Sequence, residues 1–189
     1  MAGPVLAWSE KKDLLLELLG GGSSLAEAFG SSLKALVLAS GPEAASGAEE
    51  LAKWADEVLL ATDGKFSVPD SSVFASAIQD VARSEGADLI LIASTRFGRE
   101  VAARLSAKMK VPCMTGCTSI KVEGGRLLVE RTVYAGRAIA RQECPSLPCV
   151  LAVAPRAFEK PTAERNGKVR TVSLEVPEPK LKLLSVKEK

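Results

Sequence analysis

The residues with the clearest chemical potential form one short stretch, Ser94-Thr95-Arg96-Phe97-Gly98-Arg99. An apolar run at residues 89–92 precedes it, and apolar residues at helical spacing follow it to Met109. The pattern predicts a strand, a tight turn and a helix, with the turn at the carboxyl end of the strand, where open parallel sheets hold ligands. Free N–H groups at the helix start, two hydroxyls and two guanidiniums suit a phosphate or a nucleotide. The candidate cofactor-binding residues are Ser94, Thr95, Gly98 and Arg99.

The structural alternative for this turn uses the same residues without a ligand. Ser94 or Thr95 would cap the helix, while Arg96 and Arg99 would pair with surface carboxylates. Both interpretations stay open at the level of sequence. They predict different effects of Arg99→Ala, which would lower ligand affinity in the first case and stability in the second.

The sequence gives little support for a nucleophilic catalytic site or for a glycine-rich nucleotide-binding loop. The chain has no histidine, which excludes Ser-His-Asp and Cys-His arrangements and removes the commonest general base. No Walker loop or strict G-x-G-x-x-G follows a strand. The glycines at residues 20–22 come after a helix pattern and are interpreted as a hinge. No catalytic residue is predicted, so a binding or electron-transfer role is favoured over an enzyme.

The four cysteines, Cys113, Cys117, Cys144 and Cys149, do not have the spacing of a zinc knuckle. We therefore expect buried, reduced thiols and no bound metal. Cys144 and Cys149 flank two prolines and are close enough in sequence for a disulfide, but a cytosolic setting argues against one.

Composition narrows the class of protein further. The chain has 189 residues, 47% of them hydrophobic and 25% charged, which is typical of a globular domain. A net charge of +2 and an aromatic share of 4% give no reason to expect nucleic acid. No apolar run is long enough for a membrane span, and no secretory signal is evident. A cytoplasmic location is expected.

Apolar periodicity in the amino-terminal part alternates between strands and helices. Strands are predicted at residues 5–8, 33–38, 56–61 and 89–92; helices are predicted at residues 11–19, 23–29, 43–54, 71–85 and 97–109. Ser71 or Ser72 is the expected cap of one helix, and Gly86 its expected end. This alternation predicts an α/β fold with a doubly wound, Rossmann-like, mostly parallel sheet.

After Met109 the pattern changes to strands without intervening helices. Strands are expected at residues 112–122, 126–134, 137–142 and 149–154, with hairpin turns near Gly124 and Gly136. The parallel sheet is thus extended by antiparallel strands. We predict one domain over residues 1–158 and a linker or arm over residues 159–189, in which Val172, Leu174 and Val176 alternate as a candidate edge strand.

Several of these segments resemble the amino-terminal domain of electron transfer flavoprotein alpha subunits. The matching features are Gly98-Arg99, Ala103-Arg104-Leu105, Cys117-Thr118, the hairpin over residues 122–127, Arg131 with residues 133–138, and residues 154–158. The resemblance covers most of the chain from Val5 to Phe158 and implies the α/β fold of the adenine-nucleotide-binding alpha-hydrolase group. The chain departs from the family at four positions: Gly116, Thr132, Ala135 and Arg137 stand where an acidic residue, Pro, Gly and Asn are frequent.

The resemblance implies a role in flavin-dependent electron transfer through association. In that family FAD is held chiefly by a second domain, which this sequence lacks; the beta subunit contributes nearby. We therefore expect no tightly bound cofactor, with FAD or adenine nucleotide bound only weakly or in a complex. The expected partner is an electron transfer flavoprotein beta-like subunit or a second copy in a two-fold homodimer, with residues 169–176 lying on a sheet edge or reaching the other chain. The alternative is a small adenine-nucleotide- or phosphate-binding module, and an enzyme on the same fold ranks third.

Overall fold

Buried strands and amphipathic helices alternate along the chain and assemble into one mixed sheet. The computed structural model describes residues 3–185, except for the side chains of residues 44 and 45. The strands are β1 Val5–Trp8, β2 Leu33–Ala39, β3 Glu57–Thr62, β4 Leu89–Ala93, β5 Cys113–Glu123, β6 Arg126–Val133, β7 Ala138–Glu143, β8 Cys149–Val153 and β9 Lys168–Thr171. The helices are α1 Lys12–Phe29, α2 Ala44–Leu51, α3 Ser71–Glu85 and α4 Arg96–Met109, with a 3-10 turn at Gly64–Ser67.

The sheet order within the described residues is β7-β6-β5-β8-β4-β1-β2-β3-β9. The seven strands from β5 to β9 in this order run parallel to one another, whereas β6 is antiparallel to both of its neighbours, β5 and β7. Every residue of β1, β4 and β8 is buried, as expected where helices cover both faces of a sheet. One face packs on α1 and α2, and the other on α3 and α4. The predicted doubly wound, mostly parallel α/β fold is confirmed.

Helix α1 runs without a break through the glycines at residues 20–22, so the predicted hinge is wrong. A Cβ atom at Gly20 would lie 1.9 Å from the carbonyl oxygen of Glu159, and one at Gly21 would lie 2.2 Å from the Phe158 ring. The chain after β8 therefore crosses α1 in direct contact with its backbone. The glycines are needed for this close approach and not for flexibility.

Helix boundaries follow their capping groups. Asp70, not Ser71 or Ser72, caps α3, because its carboxylate accepts a hydrogen bond from the Ser72 N–H at 2.9 Å. Gly86 ends α3 with a φ of +63°, as predicted. Helix α2 stops at Leu51 instead of residue 54, since the N–H groups of Lys53 and Trp54 bond three residues back in a tightened turn.

Strand β5 bends where it leaves the parallel sheet. Its register shifts between Thr115 and Cys117 against β8, and between Cys117 and Ser119 against β6. Gly116 lies within the shift against β8 and has a φ of +70°, a conformation that suits glycine at a bulge. Beyond the bulge, β5, β6 and β7 form the predicted antiparallel extension.

Residues after β8 close the opposite edge of the sheet. Strand β9 pairs in parallel with β3, so an edge strand exists, but it lies at residues 168–171 and not at the alternating residues 172–176. Arg165 fixes its start, donating to both carboxylate oxygens of Asp56 at 2.9 Å and to Glu27 at 2.7 Å. The domain boundary at residue 158 stays a prediction.

A four-residue ion-pair network fastens β9 itself. Arg170 donates to Glu57 at 2.6 Å and to Glu85 at 2.7 Å. Lys34 contacts the same two carboxylates, at 2.8 Å in the case of Glu57. Hydrogen bonding from Arg170, reinforced by Lys34 and opposed by burial, lowers the pKa of Glu57 to about 2.

The segment beyond β9 remains attached to the body of the domain. The Val172 N–H donates to the Leu60 carbonyl at 2.9 Å, and Lys65 donates to the carbonyl of Val176 at 2.7 Å. Val176 is buried. The Asp70 carboxylate that caps α3 also accepts from the Lys180 N–H at 2.7 Å. The chain is thus held from β8 to residue 180.

Candidate functional site

The turn between β4 and α4 lies at the centre of the sheet and brings the four predicted residues together. Thr95 is the N-cap of α4, and its Oγ1 accepts a hydrogen bond from the Gly98 N–H at 2.8 Å. The buried Ser94 joins β4 to β8, because its N–H donates to the Val153 carbonyl at 2.7 Å. Thr95, and not Ser94, therefore caps α4, as the structural alternative allows.

Gly98 allows α4 to begin directly on the end of β4. A Cβ atom at this position would lie 2.0 Å from the Ala93 carbonyl oxygen and 3.1 Å from Thr95 Oγ1. The space beside Gly98 is thus taken by the protein's own backbone. A side chain here would push α4 away from the strand.

Arg96 and Arg99 project from the first turn of α4 into solvent. Neither guanidinium has an ion-pair partner within residues 3–185, in contrast to the surface pairing that the structural alternative predicts. The N–H groups of Arg96 and Phe97 precede the first bond within the helix, which joins the Arg99 N–H to the Thr95 carbonyl at 3.0 Å. Two N–H groups and two cations therefore point outward at this turn.

An acidic side chain faces the turn from the neighbouring strand. The sheet order places β1 beside β4, with β2 and β3 on one side and β8 on the other, so the topological switch point lies between β1 and β4. Glu10 follows β1 and accepts a hydrogen bond from the Thr95 hydroxyl. This bond spans the crevice in which doubly wound folds usually bind ligands, and it places a carboxylate there.

Sequence reasoning missed Glu10 because its partner Thr95 is 85 residues away. The available signal was its position directly after a buried strand. A cavity of about 250 Å³ adjoins it, lined by apolar residues of β2 together with Ser9, Glu10, Lys12, Leu15 and Leu51. The carboxyl ends of β1 and β2 therefore form an open, half-apolar recess beside the predicted turn.

Three of the four cysteines are buried, as predicted, and Cys113 is half-buried. Burial raises the pKa of Cys117 to about 12. A hydrogen bond from the Cys149 thiol lowers the pKa of Cys144 to about 7, and the same bond, together with burial, raises the pKa of Cys149. Within the part of the chain that the structure describes, no group of three or more Cys, Asp or Glu side chains is arranged to hold a metal ion.

The described helices also include none with the length and apolar character needed to cross a bilayer. Fold and turn together define the class: a doubly wound α/β domain in which the usual ligand crevice is bridged by a hydrogen bond and the sheet is extended by a hairpin. Comparison with known proteins places it more narrowly. Residues 10–179 match the family model described as the electron transfer flavoprotein domain, and the chain belongs to that family.

The relatives are proteins about twice as long. Protein FixB of Clostridium saccharobutylicum is 33% identical over 172 residues, which cover 88% of this chain and 51% of that protein. Protein FixB of Escherichia coli O157:H7 is 30% identical over 179 residues, covering 92% and 53%. The electron transfer flavoprotein subunit alpha of Clostridium acetobutylicum is 32% identical over 154 residues, covering 80% and 46%. The resemblance drawn from the sequence is confirmed, and the chain spans about half the length of these relatives.

Proposed function

We propose that this chain is an electron transfer flavoprotein alpha-type domain that works by association and does not hold FAD alone. Its expected partner is an electron transfer flavoprotein beta-like subunit or a second copy of the chain. It would contribute to flavin-dependent electron transfer as a positioning and docking unit. We also propose a cytoplasmic location, supported by four free thiols of the kind that reducing compartments maintain.

The hydrogen bond between Glu10 and Thr95 carries this proposal. A carboxylate beside the switch point disfavours the phosphates of a dinucleotide, because like charges repel in a partly desolvated crevice. The family match extends from residue 10 to residue 179 and so includes both edge strands of the sheet. A hydrogen bond bridges the central crevice of this domain, and additional strands extend its sheet at both edges. Such a domain is better suited to binding protein than to binding flavin.

The test compares the pure chain with a mixture. The chain, purified without a partner, is expected to show no stoichiometric flavin absorbance and to release no FAD on denaturation. Mixed with a purified beta-type electron transfer flavoprotein subunit, it is expected to co-elute on gel filtration. Near-stoichiometric FAD in the pure chain would contradict the first part, and separate elution at every concentration, together with a monomeric chain, would contradict the second.

The cavity beside β1 and β2 favours a second candidate function, the binding of an adenine nucleotide or phosphate. At about 250 Å³ it lies just below the size range of drug-sized ligand sites, so it suits a small group such as a phosphate or an adenine ring. The exposed Arg96 and Arg99 lie across the switch point from this cavity and would bind the phosphate end of the nucleotide. Calorimetry with AMP and with inorganic phosphate tests this function directly; absence of heat with both would remove it.

A further inference from the structure

Strand β7 is the open edge of the sheet, and we propose that it pairs antiparallel with β7 of a second copy of this chain. The two sheets then form one continuous sheet around a two-fold axis. This inference rests on the proposed function, which expects a beta-like subunit or a second copy as partner: it selects the second copy and assigns the surface, and its test uses neither flavin nor a beta-like subunit.

The first support is exposure. Strand β7 pairs with β6 on one side, and no other described strand pairs with its outer side. Ile139 in this strand is 68% exposed, and Tyr134 in the preceding turn is 80% exposed. Natural proteins usually cover or interrupt such an edge. Here a six-residue strand with an exposed isoleucine is left open.

The second support is symmetry. A two-fold axis perpendicular to the sheet leaves each side chain on its own face, so a residue can only lie opposite one an even number of positions away. Only registers centred on a residue of β7 satisfy this condition. Only the few registers centred on a residue of β7 therefore have to be compared with the sequence.

Three of these registers place like charges directly opposite each other. Centring on Ile139 sets Arg137 opposite Arg141 of the second copy. Centring on Arg141 or on Glu143 sets that residue opposite itself. Like charges directly across an antiparallel pair are destabilising, so these registers are disfavoured.

Three registers remain, and they differ in length. Centring on Ala138 runs at once into the turn over residues 134–137 and leaves a short ladder. Centring on Gln142 sets Arg141 opposite Glu143 on each side of the axis, but it brings Pro145, which has no N–H, into the ladder and shortens it. Centring on Ala140 pairs residues 138–142 with one another and sets Arg137, at the end of the preceding turn, opposite Glu143 on each side of the axis. The Ala140 register therefore combines the longest ladder with opposite charges at both of its ends.

The side chains on both faces fit this register. The contact between Arg141 and Glu130 across β6 and β7 shows that odd-numbered residues of β7 share one face. On that face the stem of Arg141 would lie against the exposed Ile139 of the second copy. The other face carries Ala138, Ala140 and Gln142, which are uncharged and bring no like charges together across the axis.

The same register accounts for further exposed apolar surface. The register places the turn before β7, which contains Tyr134, near the segment after Glu143 of the second copy, where Leu147 is 39% exposed. Burial of aromatic and aliphatic surface at the ends of the ladder adds to the backbone pairing. The occupant is thus a second copy, because the charge pattern and the apolar ends are both supplied by this chain.

A cysteine on the axis tests the register directly. Ala140→Cys would place two thiols opposite each other, within the Cα separation that a disulfide needs. We expect this variant to form a covalent dimer under mild oxidation on a non-reducing gel. Gln142→Cys is the matched control on the same face, and it should form none because its counterpart lies four residues further along the ladder. Wild type controls for the native thiols.

A charge exchange tests the same pairing without oxidation. Arg137→Glu and Glu143→Arg should each weaken the dimer about tenfold in dissociation constant, since each creates two like-charge contacts. The double variant should return the constant to within about threefold of wild type. Light scattering measures the constants, and circular dichroism confirms that each variant is folded.

Three results would overturn the proposal: a wild-type mass of one 19.9 kDa chain at every concentration, a covalent dimer equally abundant with Gln142→Cys, or a dimer unaffected by both single charge changes. If the double variant is folded and weaker than either single variant, the register is wrong. A wild-type chain that stays monomeric yet co-elutes with a beta-like subunit would overturn this proposal and leave the proposed function standing.

Discussion

At one edge of the sheet β9 is held by ion pairs and by the chain on either side of it, whereas at the other edge β7 presents its backbone and Ile139 to solvent. Both are edge strands of the same sheet, and both carry arginines. The difference lies in what the arginines contact. Arg165 and Arg170 each reach two carboxylates on other elements. Arg141 of β7 reaches only Glu130 on the adjacent β6, and Arg137 in the turn before β7 has no ion-pair partner within residues 3–185. One edge is thus completed within the chain, and the other is available for association.

The largest effect is expected where the chain crosses α1 on its way to β9. Gly20→Ala would force a methyl group into the Glu159 carbonyl, which lies 1.9 Å from the Cβ position. A backbone group cannot rotate away as a side chain can, so we expect a loss of about 3 kcal/mol in unfolding free energy. Urea denaturation measures it.

Gly47→Ala is the matched control for that change. Its Cβ position in α2 meets no atom within 4 Å, so alanine should be neutral or stabilise the protein by up to about 1 kcal/mol. Equal losses of unfolding free energy in the two variants would show that the passage of the chain across α1 does not depend on Gly20.

The second effect concerns the ion pairs of β9. Arg170→Ala removes contacts to Glu57 and Glu85, and we expect a loss of about 1–2 kcal/mol with faster amide exchange at residues 168–171. Lys168→Ala on the same strand removes a charge that has no ion pair among the described residues, and it should change little. Unchanged exchange in the Arg170 variant would mean that β9 is held by its backbone alone.

A smaller effect should appear in acid. The folded-state pKa of Glu57 is about 2, below its ordinary value of 4.5. A lowered folded-state pKa gives stability that is complete above 4.5 and disappears as the pH falls towards 2. The stability of wild type relative to Glu57→Gln should therefore shrink over this range, by about 1 kcal/mol in total. A difference that stays constant from pH 6 to pH 2 would exclude this role for Glu57.

The smallest effect on stability is expected at the central turn, between the two edges. Arg99→Ala should change the unfolding free energy by less than about 0.5 kcal/mol, since its guanidinium is exposed and unpaired among the described residues. If the turn binds an anion, affinity for phosphate or AMP should fall about tenfold, which corresponds to about 1.4 kcal/mol. A lower melting temperature, with no binding by wild type, would leave the turn as scaffold only.

Local signals predicted most of the fold and the position of this turn. The apolar periods located the four central strands, and Gly86 and Thr95 were recognisable as helix-terminus residues from their types alone. The same local reasoning misread the glycines of α1, because their contacts with Phe158 and Glu159 lie more than 130 positions away in sequence. A glycine run has the same appearance whether it bends a helix or admits another backbone.

Long-range charge pairing explains the other differences. Alternation at residues 172–176 suggested an edge strand, but Arg165 and Arg170 fix the pairing four residues earlier, through carboxylates on other elements. Glu10 was missed for the same reason, since its role depends on the adjacency of β1 and β4. Sequence periodicity reports which face of an element is buried, and it does not report which elements become neighbours.

Native mass spectrometry of the purified chain shows both the assembly and any bound small molecule in one spectrum. We expect a species of twice 19.9 kDa that carries no FAD, and a larger share of single chains in the Arg137→Glu variant at a concentration near the dissociation constant of the wild-type dimer. A single chain carrying one FAD, unchanged by that substitution, would contradict this expectation.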